Sequence, residues 1–510
     1  MTKVKEIDMN TFMAQLKRND NITHTENGGI TRKSTESKVL DMFAMGGAYR
    51  GRSDNEVILL FKNAFEEDPL LAMKCLFYLR DIRGGQGERR FFRIAFRWLC
   101  KNHPDIARKN LSNVSEYGRW DDLIYTTQAT KCQTAAFNII KRQLVLDIQC
   151  KTPSLLAKWL PSQNASNEET KRLGHVLASF LGMTNREYRK TLSILRERIK
   201  VLERLMSAGR WDEIEFDKIP SRAGLIYRNA FARRDILAKR YEAFAKSQST
   251  TVNADALYPH DIAHRVFSCP SYMSLEDPTR LMLQKYWDNL KDFYNGREEN
   301  GIAVVDVSGS MSGVPMEAAV SMGAYIAEKA HGPFAGHFIT FSSRPRLVEF
   351  EGVDIVDKFH RCVRADWGMN TNIKAVFNML LRIARSKKVK AEDMPTRIYI
   401  FSDMEFDRCV TFDTNNGSLY WSARTVESVE EANSDLEQIR KEWAAAGYKL
   451  PSIVFWNLNA RHNHIPAIGE GFSYVSGFSP SMIDCILSGK DGYDLMLEKL
   501  LSQRYAAIVV

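Results

Sequence analysis

Apolar positions change their spacing once along this chain. From residue 54 to about 295 they recur three and four apart, in runs such as NEVILLFKNAFEED, PLLAMKCLFYLRDIRG, GERRFFRIAFRWLCKN and REYRKTLSILRERIKVLERLMSAG, separated by short Gly, Pro or Asp breaks. That spacing predicts a series of antiparallel helices. After Gly296-Arg297 the pattern becomes short unbroken apolar runs at 302–305, 337–341, 397–401 and 452–456, each followed by a polar loop and a helical stretch such as PMEAAVSMGAYIAEKA. Parallel strands covered on both faces read this way. The region is predicted to be an open, doubly wound α/β sheet that binds ligands at the carboxyl ends of its strands.

The chain thus divides into an irregular N-terminal arm (1–53), a helical part (54–296) and an α/β part (297–510). The arm is polar, carries Asn27-Gly28-Gly29 and the apolar stretch Val39-Leu40-Asp41-Met42-Phe43, and is expected to dock late. Gly118-Arg119-Trp120-Asp121-Asp122 returns as Gly209-Arg210-Trp211-Asp212-Glu213, where Gly can close one helix and Asp cap the next, as in a turn shared by helical repeats. The polar insertion at about 408–432 reads equally as a lid or as a loop.

Charge is unevenly placed. Residues 1–300 hold 49 Lys+Arg against 37 Asp+Glu, or +12, and residues 301–510 hold 22 against 25, or −3. A basic block joined to a near-neutral one points to a polyanion partner for the first, most commonly nucleic acid. The sequence contains no apolar run long enough for a membrane span, and its start lacks the apolar stretch of a secretory signal. Eight scattered cysteines without a Cys-x-x-Cys pair fit buried thiols in a reducing compartment, so a cytoplasmic protein without a membrane partner is expected.

The first predicted strand runs into Asp306-Val307-Ser308-Gly309-Ser310-Met311-Ser312. Hard oxygens at alternate positions, released from a rigid strand end, can converge on one small cation. Gly368-Met369-Asn370-Thr371-Asn372 precedes a helix, and the strand at 397–401 leads to Ser402-Asp403, so two further loops can bring a hydroxyl and a second carboxylate. Few carboxylates, several hydroxyls and water suit Mg2+, or Mn2+ in its place. The alternative is that Asp306 and Asp403 cap helices. His260 and His264 stand four apart and His462 and His464 two apart; with no third soft ligand nearby in sequence, both pairs read as structural.

The strand, the DVSGS run, the downstream Thr and the strand-end Asp resemble the metal-ion-dependent adhesion site of von Willebrand factor A domains. The resemblance implies direct ligation by Ser308 and Ser310, direct or water-mediated roles for Asp306, Thr371 and Asp403, and an open position for an acidic group of a protein partner. In GMNTN the sequence departs from the second Gly that this family more often places before the Thr. In the helical part, RDIRGGQGER, YGRWDD and SLLAKWLP resemble the TROVE module, the HEAT-like ring of helical repeats found joined to a von Willebrand A domain in the Ro autoantigen family. SLLAKWLPS, YRKTLSILR, Tyr258-Pro259-His260-Asp261-Ile262 and DVSGSM resemble most closely the domain-of-unknown-function 2828 family. What this implies is a ring or arc of repeats that binds small noncoding or misfolded RNA, closed or capped by the A domain.

Residue chemistry bears on RNA independently. On a helix begun near Gly87, Arg89, Arg90, Arg93 and Arg97 share about a third of the circumference, while Phe91, Phe92, Ile94, Ala95, Phe96, Trp98 and Leu99 fill the rest. Guanidinium groups without interleaved carboxylates suit phosphate. The turn Arg83-Gly84-Gly85-Gln86-Gly87 offers amides at a helix start, and Lys158-Trp159 pairs a cation with a ring on which a base can stack. The competing reading of the arginines is a face salt-bridged by a neighbouring repeat such as Asp121-Asp122, and that of Trp159 is core.

These features predict an RNA-binding scaffold whose metal site recruits a carboxylate-bearing protein. The alternative is a protein-assembly or chaperone-like adaptor that uses the metal site without RNA. No phosphate loop, His-Glu-x-x-His or Gly-x-Ser-x-Gly motif is present, so an enzyme is not expected; a metal-dependent phosphoesterase using Asp306 and Asp403 is the weaker alternative.

Overall fold

The computed structural model describes residues 21–270, 273–341, 345–364, 372–406, 439–467 and 469–510. The chain forms two compact units. The first holds the residues up to Arg52, Phe293–Val353 and Asp357–Glu498; the second holds Ser53–Asp292, Asp354–Val356 and Lys499–Val510.

The second unit is helical. Helix α2 (Asp54–Glu67) starts in a capping box in which Ser53 and Glu56 each satisfy the other's backbone amide. Asp68 caps α3 (Pro69–Arg80), whose proline occupies a first-turn position that needs no amide hydrogen. Then follow α4 (Arg89–Asn102), α5 (Pro104–Tyr117), α6 (Trp120–Thr127), α7 (Gln133–Gln149), α8 (Leu156–Trp159), α9 (Glu168–Phe180) and α10 (Asn185–Arg198). Further helices continue to Asp288. The run 186–209 is not one helix: Lys200 takes a φ of 47°, and the chain restarts at Leu202.

The glycine-led echo is only half structural. In the first copy Gly118 closes α5 and the Asp122 carboxylate accepts the Arg119 amide at 3.0 Å, so the turn works as anticipated. In the second copy Trp211–Glu213 is a single 3-10 turn.

The last dozen residues belong to this unit rather than to the sheet. Tyr117 Oη donates to the Arg504 carbonyl at 2.5 Å, Lys74 Nζ to the Tyr505 carbonyl at 3.0 Å, and Asn110 Nδ2 to the Val509 carbonyl at 2.7 Å. Arg504 also places Nε 2.6 Å and Nη2 2.8 Å from the two oxygens of Asp81, which is wholly buried.

Among the described residues the first unit is built on a six-stranded sheet, in the spatial order Arg346–Glu349, His337–Thr340, Gly301–Val305, Arg397–Ser402, Ser452–Asn457 and Phe472–Ser476. Strands β3 (Gly301–Val305), β4 (His337–Thr340), β6 (Arg397–Ser402), β7 (Ser452–Asn457) and β8 (Phe472–Ser476) run parallel, and β5 (Arg346–Glu349) pairs antiparallel with β4 at the edge. The helix Val314–Lys329 covers β3. Its Gly323 is required for that approach, because a Cβ there would lie 2.5 Å from Val305 Cγ2. Chain order reverses between β3 and β6, which makes their carboxyl ends the switch point where open α/β sheets bind ligands.

The described part of the N-terminal arm belongs to this unit. It forms a hairpin, β1 (Ile22–His24) with β2 (Ile30–Arg32), and Arg32 extends the pairing to Ile465 through two backbone hydrogen bonds. Helix α1 (Lys38–Met45) is buried along almost all its length. Its buried Asp41 is satisfied by Ser34 Oγ at 2.6 Å and by the Thr35 amide at 2.6 Å. Ser476, at the end of β8, donates to the Phe43 carbonyl and accepts from the Gly47 amide.

Candidate functional site

Two places in the molecule concentrate the chemistry anticipated from the sequence. The first is the switch point of the sheet. Asp306 follows β3 and Asp403 follows β6, and both are buried, at 0% and 1% exposure. Backbone pairing aligns them, since the Asp306 amide donates to the Phe401 carbonyl at 2.9 Å. The Asp306 carboxylate accepts from the Ser308 amide at 2.9 Å and from Ser402 Oγ at 2.6 Å. Burial, and then the neighbouring Asp403 carboxylate, push the Asp306 carboxyl up to about 6.

Ser308 Oγ and Ser310 Oγ stand 3.0 Å apart and are partly exposed. Adjacent ligands of an octahedral ion with bonds of about 2.1 Å are about 3.0 Å apart, so the two hydroxyls are spaced as a pair of Mg2+ ligands would be. The donor set is oxygen throughout. Asp403 is also engaged by its own loops: Oδ1 accepts the Glu405 amide at 3.2 Å, and Oδ2 lies 3.2 Å from Arg461 Nε. Thr371 lies outside the described residues, as does the insertion at 408–432.

Sequence reasoning missed what lies two residues beyond Asp403. His462 and His464 do have a third ligand-bearing neighbour: their Nδ1 atoms lie 3.0 and 2.9 Å from Glu405 Oε1. Glu405 and the histidines are 57 and 59 positions apart along the chain, and only the pairing of β6 with β7 brings their loops together.

The second place is the helical unit around α4, α6 and α8. Two of the four arginines of the stripe are answered by carboxylates. Arg93 contacts Asp122 at 2.6 Å and Asp121 at 2.9 Å, Arg90 pairs with Asp54, and Arg97 donates to the Tyr125 carbonyl at 3.2 Å. Arg83 donates to the Glu116 carbonyl at 2.8 Å. The amides expected to be free in the 83–87 turn are used internally: Arg83 N bonds Asp81 Oδ1, Gln86 N the Tyr78 carbonyl and Gly87 N the Asp81 carbonyl. The turn is therefore a satisfied structural loop and not an open anion nest, because buried Asp81 and the preceding helix end consume its donors.

Cations nevertheless outnumber carboxylates here. Arg80, buried at 2% exposure, holds Asp122 through Nε at 2.9 Å and Nη2 at 2.7 Å, and Arg119 holds Asp121 at 2.9 and 2.5 Å. Arg89 is exposed and joins none of these pairs. Partial loss of hydration about its head group, and then the charges of Arg119 and Arg93, hold its guanidinium below the usual range against the opposing pull of Asp122 and Asp121. Alongside lies a cleft of about 600 Å³ lined by Tyr125, Lys158, Trp159, Pro161, Arg196 and Arg204, among others. Trp159 is partly exposed and not core; the Arg119 guanidinium sits 4.0 Å from its ring centre and Lys158 Nζ 5.6 Å away.

A helical unit joined to an open α/β unit, with an oxygen-rich cluster at the switch point of its sheet, is the class of protein defined here. Residues 25–132 and 145–306 match the model of DUF2828, a domain of unknown function, and residues 300–503 match that of DUF7788, also a domain of unknown function. The chain is 31% identical to the uncharacterized protein L728 of Acanthamoeba polyphaga mimivirus, over 92% of its own length and 85% of that protein's. It belongs to the DUF2828 family. Among solved structures, the RO (RSR) protein of Deinococcus radiodurans aligns with a TM-score of 0.48 at 12% identity, covering 92% of this chain and 99% of that one.

Proposed function

We propose that the protein is an RNA-binding scaffold. In this reading the helical unit is a TROVE-like array of HEAT-like repeats and takes single-stranded or misfolded RNA at the cleft beside α8. The observation that carries it is Trp159: a partly exposed indole beside Lys158, in a unit with surplus positive charge, offers a base a stacking surface and its phosphates a cation. Arg89 and Lys158 are the phosphate contacts. Arg83, Arg90, Arg93 and Arg97 contribute mainly through the field of the surface, because each already has a partner.

The α/β unit is, in the same proposal, a von Willebrand A-like domain with a metal-ion-dependent adhesion site. Ser308 and Ser310 would hold Mg2+ or Mn2+ directly, with Asp306, Asp403 and Thr371 acting directly or through water. The ion supplies a Lewis-acidic position for a carboxylate of a protein partner, and the site serves binding without turnover. Ser402 and the Ser308 amide orient Asp306 for this role.

Bound nucleic acid, read from the absorbance ratio of protein purified from its host, separates this reading from that of an adaptor that binds only protein. The partner arm is tested by capture from host extract in Mg2+ against chelator, with Asp306→Asn as control. Capture that is indifferent to both removes the adhesion-site assignment.

A further inference from the structure

The histidine pair that follows β7 is not accounted for by either proposed activity. His464 is buried, at 7% exposure, and its Nδ1 lies 2.9 Å from Glu405 Oε1. His462 Nδ1 faces the same oxygen from 3.0 Å, with its ring stacked on that of His464 at 5.3 Å. The two ring nitrogens and the carboxylate oxygen all lie within 4.8 Å of one another.

We propose that Glu405, His462 and His464 form a second metal site, selective for Zn2+. Two imidazoles and one carboxylate form a donor set that suits zinc and that Mg2+ disfavours. Neighbouring ligands of tetrahedral zinc with bonds of about 2.0 Å are about 3.3 Å apart, so the two Glu405–histidine distances need to open by only a few tenths of an ångström. The outer shell is also in place. The Glu26 amide donates to the other oxygen of Glu405 at 2.8 Å, which leaves Oε1 for the ion. Glu26 Oε1 lies 3.6 Å from His462 Nε2, so a carboxylate can fix the ring in the tautomer with Nδ1 as the ligand. Three protein ligands leave a fourth position for water.

The site joins three separate stretches of chain. Thr25 Oγ1 donates to the Phe406 carbonyl at 2.7 Å and Asn27 Nδ2 to the Glu405 carbonyl at 2.7 Å, so the hairpin turn is already anchored to the loop that supplies Glu405. An ion bound to Glu405, His462 and His464 would fasten this turn and the ends of β6 and β7 together. Asp403 and Arg461 sit in the same two loops, so zinc would also stiffen the supports of the proposed Mg2+ site.

The test uses the full chain, stripped with chelator and titrated with Zn2+ against a competing indicator, and separately with Co2+ as a spectroscopic probe. One equivalent of Zn2+ should bind, and Co2+ should give the intense visible bands of a four-coordinate site. His462→Ala and Glu405→Gln should each weaken Zn2+ by more than about a hundredfold, the upper end of what loss of an outer-shell partner alone costs. His462 is half exposed, so that variant should fold even if a change at buried His464 does not. Asp306→Asn should leave Zn2+ binding intact, which keeps this result separate from the fate of the Mg2+ site. Failure of folded wild type to bind Zn2+, or binding that persists unchanged in His462→Ala, would overturn the proposal and leave a histidine–glutamate ion pair.

Discussion

Ser402 Oγ donates to Asp306 Oδ2 at 2.6 Å and so ties the end of β6 to the end of β3 inside the core. The bond orients a carboxylate that is otherwise hemmed in by burial and by Asp403. Ser402→Ala should lower Mg2+ affinity several-fold, and by leaving part of a buried carboxylate unsatisfied should cost about 1–3 kcal/mol. Asp306→Asn should abolish the rise in melting temperature that Mg2+ gives wild type, since a ligand stabilises only the fold that binds it. Without metal the Asn variant should melt no lower than wild type, because it relieves the repulsion between two buried carboxylates. Calorimetric titration and thermal melts with and without Mg2+ check both.

The buried Arg80–Asp122 pair makes a prediction about acid. Burial alone would raise the Asp122 carboxyl, but the charges and hydrogen bonds of Arg80 and Arg93 override it and hold the group below the usual carboxylate range. The folded value being depressed, the pair contributes fully above the unfolded value of about 3.9 and is lost as pH falls through the lower folded value. Asp122→Asn leaves Arg80 buried without its counter-charge and should cost about 3–5 kcal/mol at pH 7. The gap between wild type and variant in urea unfolding should stay constant from pH 7 to about 5 and narrow below about 4.

Arg504 and the helical unit should be coupled in stability. Arg504→Ala strips two hydrogen bonds from Asp81, which is buried and is left with the Arg83 and Gly84 amides and Tyr505 Oη. A loss of about 1–3 kcal/mol is expected. Arg504→Lys should recover only part of it, because one ammonium cannot reproduce a two-point contact. Denaturant melts of the full chain read the difference.

Much of this architecture was legible in the sequence, and the exceptions have physical causes. Strands β3, β4, β6 and β7 are unbroken apolar runs, which parallel strands covered on both faces must be. Strand β5 was not visible: it is an edge strand of sequence RLVE whose side chains are mostly exposed, so it lacks that signal. Strand β8, FSYVS, carries two serines, and one of them is spent on backbone groups of the arm. The arm looked irregular because α1 is only 8 residues long and buries a charged residue, Asp41, among its apolar ones. Asp306, Ser308, Ser310 and Asp403 could be picked out because each follows a recognisable strand or its loop. Glu405 could not, since its relation to His462 and His464 arises only when β6 pairs with β7.

The reading of Trp159 leads to a direct test of base stacking. Trp159→Ala should lose about 1–3 kcal/mol of affinity for single-stranded RNA with little change in the salt dependence, because stacking releases no counterions. Arg119, which lies over the same ring, loses its cation–π contact in that variant, so melts should be compared alongside.

The central claim is that phosphates meet Arg89 and Lys158, and the salt dependence of RNA affinity measures it most directly. Affinity of the full chain for a fluorescent single-stranded RNA should be titrated at several salt concentrations, for wild type and for Arg89→Gln with Lys158→Gln. Each lost phosphate contact should reduce the steepness of the log–log slope by about 0.7, so the double variant should be shallower by roughly 1.4 and weaker on every sequence tried. A wild type that binds no RNA, or a double variant with the same affinity and slope, would contradict the account.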